Sequence, residues 1–328
     1  MNIVYFHRNL QQGYSINKVS SNYIGRVILS NQVKECFLPE YHLNICNFFR
    51  NLYFVYQHRD RTGINHITGD IHYCMLSLIG CKSILTIHDI GFVENETNVL
   101  KRFLFWLLWL YIPVKIATNV VCISEATKES VLKYVRKKNI LIIPNSVQPV
   151  YTYKSHVNND IPVILHIGTT WNKNLSKTIR ALSGVKCHLR IIGKLDEKNI
   201  KNLSTYDIDY SNDYNLSDQQ ILLEYENCDI VSFPSLYEGF GMPIIEAQSI
   251  GRPVVTSNLS PMKEIAGEAA ILVNPIDIDS IRNGFLLLLE NKATREVCIR
   301  MGLENAKKYS LESIYGMYIK LYEYIDRH

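Results

Sequence analysis

The chain has 328 residues, of which 47% are hydrophobic and 20% charged, with a formal net charge of +4. That length is comfortable for two domains, and the balance excludes a disordered, fibrous or membrane-embedded chain. The charge is uneven: residues 1–150 hold 16 Lys/Arg against 9 Asp/Glu, and residues 151–328 hold 19 against 22. A basic first half suits anionic lipid head groups or a pyrophosphate-bearing acceptor, and equally a purely solubilising role.

In chain order, MNIVYFHRN reads as a first strand with no signal peptide before it. Apolar, β-rich runs follow near 64–67, 83–87, 119–123 and 139–143. Helical stretches separate them near 15–29, 42–57, 70–80, 99–117 and 124–136. FLFWLLWLYIPV (103–114), behind Lys101 and Arg102, is too short to span a bilayer. Its expected place is buried against a sheet, with a membrane-surface helix as the alternative. The polar, irregular stretch 148–161 is the expected boundary, giving domains 1–150 and 151–310. A second series of strands begins at 162–168 and continues at 187–193, 206–210, 229–233, 252–257 and 269–273. Three helices close the chain over 277–328. Alternating strands and helices throughout predict an α/β fold with two parallel, Rossmann-like layers. Eight cysteines without a CxxC pair point to reduced thiols in a cytoplasmic protein, not a disulfide frame or zinc site.

The most informative segment is PSLYEGFGMPIIEAQSIGRPVVT (234–256). A buried strand ends before it, glycines permit a tight turn, and Pro243 suits the first turn of a helix. Bare amides at such a helix start form an anion site. Glu238 stands at its mouth and Glu246 lies inside the helix, an arrangement that suits a nucleotide sugar. Its diphosphate would meet the amides and its hydroxyls the acids. HIGTTWNKNLSK (166–177) repeats the strand–glycine–helix pattern, placing Lys173 where a cation reaches a diphosphate. ILTIHDIG (84–91) puts His88 at a strand end, where α/β sheets bind ligands, and His66 and Asp70 follow the same logic. The D-x-D pairs at 207–209 and 277–279 lie away from any nucleotide loop, so no metal site is expected.

The pattern PS-x-x-EGFG-x-P-x-x-E resembles the E-x7-E signature of retaining glycosyltransferases of family 4, which use the GT-B fold. The likeness is strong over 162–275 and only general before that. It implies two Rossmann-like domains facing across a cleft, with a C-terminal helix (about 311–328) crossing back to the acceptor-binding first domain. The second domain would bind the donor. Carried over by residue, Glu238 contacts the donor sugar or reaction centre and Glu246 the ribose hydroxyls. Gly239, Phe240 and Gly241 offer amides to the diphosphate. Gly168 and Thr169 form the facing loop, with Thr169 where members commonly carry a basic residue, and Lys173 keeps the later lysine. His88 faces donor sugar or acceptor, and the loop 6–15 keeps only Gly13 of the usual glycine pair. The implied reaction moves a hexose from a nucleotide-diphosphate sugar to a glycan or lipid-linked acceptor, without cofactor, metal or nucleic acid. Contact with the inner face of the membrane fits such acceptors. A sugar-nucleotide epimerase and a non-catalytic glycan- or lipid-binding subunit on the same fold stay open as alternatives.

Overall fold

The computed structural model describes residues 1–11, 15–42, 44–156 and 159–328. Two units divide the chain: Met1–Ser146 with Leu311–His328, and Val147–Ser310.

In the first unit β1 (Asn2–His7), β2 (Gln32–Phe37), β3 (Ile64–Ile67), β4 (Ser83–Ile87), β5 (Asn119–Cys122) and β6 (Ile140–Ile142) form one sheet. Its order is β2-β1-β3-β4-β5-β6, and every pairing is parallel. Alternation along the strands sends Val4, Phe6, Leu85 and Ile87 to one apolar face and Ile3, Tyr5, Ile64 and Ile84 to the other. The last helix, Leu311–Arg327, covers the second face with Ile314, Tyr318, Leu321, Tyr322 and Ile325.

A chain of hydrogen bonds ties that helix to the sheet. Tyr5 OH donates to Tyr322 OH at 2.9 Å, and Tyr322 OH meets His66 Nδ1 at 2.9 Å. His66 Nε2 reaches Thr86 Oγ1 at 2.8 Å. The order of donors makes His66 a neutral imidazole carrying its proton on Nε2. Its expected part in ligand binding is therefore replaced by a structural one: full burial inside a strand removes it from any ligand.

Burial lowers the His66 pKa from 6.5 to about 3. In the second unit burial, reinforced by the nearby Lys173 cation, does the same to His166. A depressed folded pKa means the unfolded chain binds more protons below about pH 6.5. The associated stability is complete above that pH and is lost as pH falls toward 3. Between about pH 6.5 and pH 5 the loss should approach 2 kcal/mol per imidazole. Urea midpoints across this window measure it, and a midpoint that does not move contradicts buried neutral histidines.

The second unit pairs β7 (Val163–Ile167), β8 (His188–Ile192), β9 (Tyr210–Asp213), β10 (Ile230–Phe233), β11 (Val254–Ser257) and β12 (Ile271–Val273). The order is β12-β11-β10-β7-β8-β9, again wholly parallel. This is a doubly wound sheet whose strand order reverses between β7 and β10.

Three expectations need correction. β2 adds a strand that no apolar run marks: QVKECF is mostly exposed, because an edge strand needs no apolar run. The strand expected at 206–210 lies at Tyr210–Asp213, since the helix Glu197–Thr205 runs into a turn with Asp207 at φ 49°. The single helix expected over 99–117 is α-helical at Val99–Phe105, π-helical at Trp106–Tyr111 and α-helical again at Ile112–Ile116. Leu110 and Val114 are buried there, whereas Val99, Leu100, Phe103 and Leu104 are exposed. Among the described residues no helix is long and apolar enough to cross a membrane.

Candidate active site

Parallel doubly wound sheets bind ligands where strand order reverses, outside the carboxyl ends of the strands. In the second unit that point lies between β7 and β10, and the segments leaving these strands carry Lys173 and Glu238. Lys173 Nζ stands 2.6 Å from Glu238 Oε1, with the two side chains 21% and 13% exposed. Asn172 laces the same segments together. Its Nδ2 donates to Tyr237 O at 3.0 Å and Glu238 Oε1 at 3.3 Å, while Leu236 N donates to its carbonyl at 2.8 Å.

Gly168 makes this approach feasible. Its φ is 93°, and a Cβ there would lie 2.8 Å from Lys173 Cγ. A side chain at 168 would thus strain the backbone and push the lysine away. Thr169 serves a different purpose from a charged residue. Its Oγ1 donates to Lys194 O at 2.7 Å, and its methyl fills the space beside Gly193.

The helix Met242–Ile250 starts at Gly241, whose φ is 114°, with Pro243 in its first turn. The Phe233 ring links this start to the lysine. It lies 4.9 Å from Lys173 Nζ, and its edge is 3.6 Å from where a Gly241 Cβ would stand. Phe240 is buried and packs edge-on against Tyr309 at 5.9 Å, so only its backbone is available to a ligand. Gly239, just before it, is half-buried. Glu246 is half-buried on the helix, and its Oε2 accepts from Tyr225 OH at 2.7 Å.

Two residues outside the expected set shape the site. Tyr225 orients Glu246, a contact 21 positions apart that leaves no local signal. Asn174 adopts φ 62°, and its amide donates to Pro234 O at 3.0 Å and Pro275 O at 2.7 Å. It thereby fixes the chain leaving β10 to the chain leaving β12. The left-handed conformation is one that Asn tolerates well, which is the signal the sequence offered.

In the first unit, His88 follows β4 and is half-buried. Its Nε2–H donates to Thr68 O at 2.9 Å, and burial lowers its pKa. Gly13 lies outside the described residues. Among the described residues no group of three or more His, Cys, Asp and Glu side chains could hold a metal ion.

A pair of parallel six-stranded, Rossmann-like sheets is the GT-B glycosyltransferase fold. Sucrose-phosphate synthase from Thermosynechococcus elongatus has it, with a TM-score of 0.79, 14% identity and 99% of each chain covered. Residues 151–305 match the model of the family Glycosyl transferases group 1. The O-antigen chain mannosyltransferase B of Escherichia coli is 41% identical over 91 residues, 28% of this chain and 24% of that protein. The O-antigen chain mannosyltransferase RfbU of Salmonella typhimurium is 26% identical over 204 residues, 59% of this chain and 57% of that protein. The matches thus span between about a quarter and just over half of those relatives. These homologues support a transferase.

Proposed function

We propose that the protein is a retaining glycosyltransferase of family 4, moving a hexose from a nucleotide-diphosphate sugar to an acceptor hydroxyl in polysaccharide or lipid-linked glycan synthesis. The observation that carries this reading is the Lys173–Glu238 pair, 2.6 Å apart at the strand-order reversal. The names of the two O-antigen relatives favour mannose as the sugar.

In this reading the amides of Gly239, Phe240 and Gly241 and the helix start meet the diphosphate. Lys173 turns from Glu238 toward the departing phosphate as charge develops there. Glu238, partly released, accepts from donor-sugar hydroxyls, and Glu246, held by Tyr225, accepts from the ribose. Gly168 and Thr169 shape the opposite wall. The acceptor oxygen bonds to the anomeric carbon on the face that the phosphate leaves. The C–O bond to the diphosphate breaks, and the acceptor proton passes to a departing phosphate oxygen. Anomeric configuration is thereby retained without a protein nucleophile. His88, neutral and protonated on Nε2, offers Nδ1 as an acceptor to a sugar hydroxyl. The exposed Val99, Leu100, Phe103 and Leu104, beside Lys101 and Arg102, support contact of a cytoplasmic enzyme with the membrane's inner face.

A thermal-shift screen of nucleotides and nucleotide sugars tests the donor. A ligand at one hundred times its Kd adds about 2.7 kcal/mol of stability. Formation of free nucleotide diphosphate only with acceptor present separates a transferase from an epimerase, and its complete absence supports a binding subunit. Glu246→Ala should raise the donor KM by about tenfold or more while leaving kcat nearly unchanged, because it removes charged hydrogen bonds made equally in ground and transition states. An unaltered donor KM would remove Glu246 from the site.

A further inference from the structure

The first unit carries a groove of about 520 Å³ along the edge strand β6. Its volume falls within the range that small-molecule sites span. Strand alternation sets its floor. Val121 and Ile143 face the helix Leu311–Arg327. Asn119, two residues before Val121, and Leu141, its partner in register, therefore face the same way. The helix packs Ile314, Tyr318 and Ile325 on the inner strands and turns a flank of Met317, Lys320 and Tyr324 toward β6. Spacings of three and four residues place that flank on one side of the helix. The β6 edge is left uncovered: Leu141, Met317 and Tyr324 are 40%, 41% and 56% exposed.

The groove is polar at one end and apolar at the other. Asn119 opens β5, and Lys138 lies just before β6, so both stand at the amino ends of the strands, away from His88. Lys82, just before β4, donates to Asp326 O at 2.8 Å. That bond brings the end of the helix, with Tyr324 and then Lys320, to the same side. Leu141, Ile143 and Met317 continue toward the other end. Three polar groups at the first end are unspent. Among the described residues neither Lys138 nor Lys320 has an ion-pair or hydrogen-bond partner. The side-chain amide of Asn119 has none either, although the residue is only 5% exposed. A buried, unpaired amide is unfavourable until something accepts from it. No Asp or Glu is among the described residues that line the groove.

Two free ammonium groups and an idle amide at one end suit an anion, and the apolar remainder suits hydrocarbon. A concave groove takes in one molecule, whereas a bilayer is met by protruding side chains such as Val99 and Phe103. We propose that the groove binds a single anionic amphiphile. Lys138, Lys320 and Asn119 hold its carboxylate or phosphate head, and its alkyl chain lies along Leu141, Ile143 and Met317. The site is separate from the donor chemistry and stands without the transferase reading.

Isothermal titration of the full chain with sodium dodecanoate and with dodecyl phosphate, below their micelle concentrations, tests the site. One molecule should bind per chain, whereas acetate and inorganic phosphate, which lack the alkyl chain, should not. Binding of either amphiphile supports the assignment, and the tighter one names the head group. Lys138→Gln combined with Lys320→Gln should weaken binding about five- to tenfold, as expected for two ion pairs at a rim. Both lysines are exposed and without partners, so the melting temperature should not change. Met317→Glu, on the same exposed flank, should abolish binding by setting a charge against the alkyl chain. Nucleotide binding should match wild type in both variants. No saturable binding overturns the proposal, as does equal binding by the variants. Equal binding of dodecyltrimethylammonium also overturns it, revealing an apolar patch indifferent to charge. Binding to phosphatidylglycerol vesicles with none to the monomeric amphiphiles does so too, identifying a bilayer contact instead.

Discussion

Lys173→Ala is expected to lower kcat by about two to three orders of magnitude while the donor KM changes little. Removing one preorganised donor from developing charge costs about 2.7–4 kcal/mol of transition-state stabilisation. In the proposed reaction the lysine needs only to turn from Glu238 to meet that charge. Glu238 fixes its Nζ at 2.6 Å, the Phe233 ring lies beneath it, and Gly168 lets its stem pass against the backbone. Before donor arrives its charge is spent on Glu238, so interaction with phosphate strengthens only as that pair loosens. Such an interaction belongs to the transition state and appears in kcat. Arginine should not substitute, because a planar fork cannot occupy a slot built for a single nitrogen. Alanine also leaves the half-buried Glu238 carboxylate without its cation, which is destabilising in itself. Glu238→Gln in the Lys173→Ala background isolates the two effects. The double variant should regain stability and stay slow. If Lys173→Ala retains kcat within a few-fold, the lysine is only a structural partner of Glu238.

What the sequence made legible follows from where each element lies. Central strands such as β4 and β10 are buried on both faces, and their continuous apolar runs announced them. The edge strands β2 and β9 are largely exposed, so no apolar run marks β2 or fixes the bounds of β9. The π turn over Trp106–Tyr111 was invisible because apolar residues on all sides erase helical phase. At the site, Glu238 and Lys173 were readable as polar residues just beyond strand ends. Their contact was not, because it depends on chain reversal 65 positions apart. His66 misled for an instructive reason. A histidine within a strand resembles one beyond it in sequence, and only burial against Tyr322 and Thr86 distinguishes them. Thr169 likewise read as a missing charge, yet its hydroxyl and methyl couple two loops.

Asn174 should be the most sensitive uncharged position near the site, and three substitutions separate its contributions. The residue sits at φ 62° and donates both amide hydrogens, one to Pro234 O and one to Pro275 O, in a buried setting. Glycine accepts the left-handed backbone without strain, so Asn174→Gly should lose only the hydrogen bonds, about 2–3 kcal/mol. Asn174→Ala adds the cost of a left-handed Cβ, about 1–2 kcal/mol more. Asn174→Asp keeps the shape and the tolerance for positive φ but has no hydrogen to donate. It points a carboxylate at two carbonyl oxygens, so it should be at least as damaging as alanine. Chemical denaturation gives the order, wild type above glycine above alanine and aspartate. If aspartate is tolerated, the clamp is not what joins these loops. The same clamp should register in function. Pro234 is four residues before Glu238, and slackening the chain between them moves the carboxylate that positions Lys173. Asn174→Gly, the mildest variant, should therefore retain folding while losing donor affinity and turnover together. That pattern differs from Lys173→Ala, whose loss falls on turnover alone.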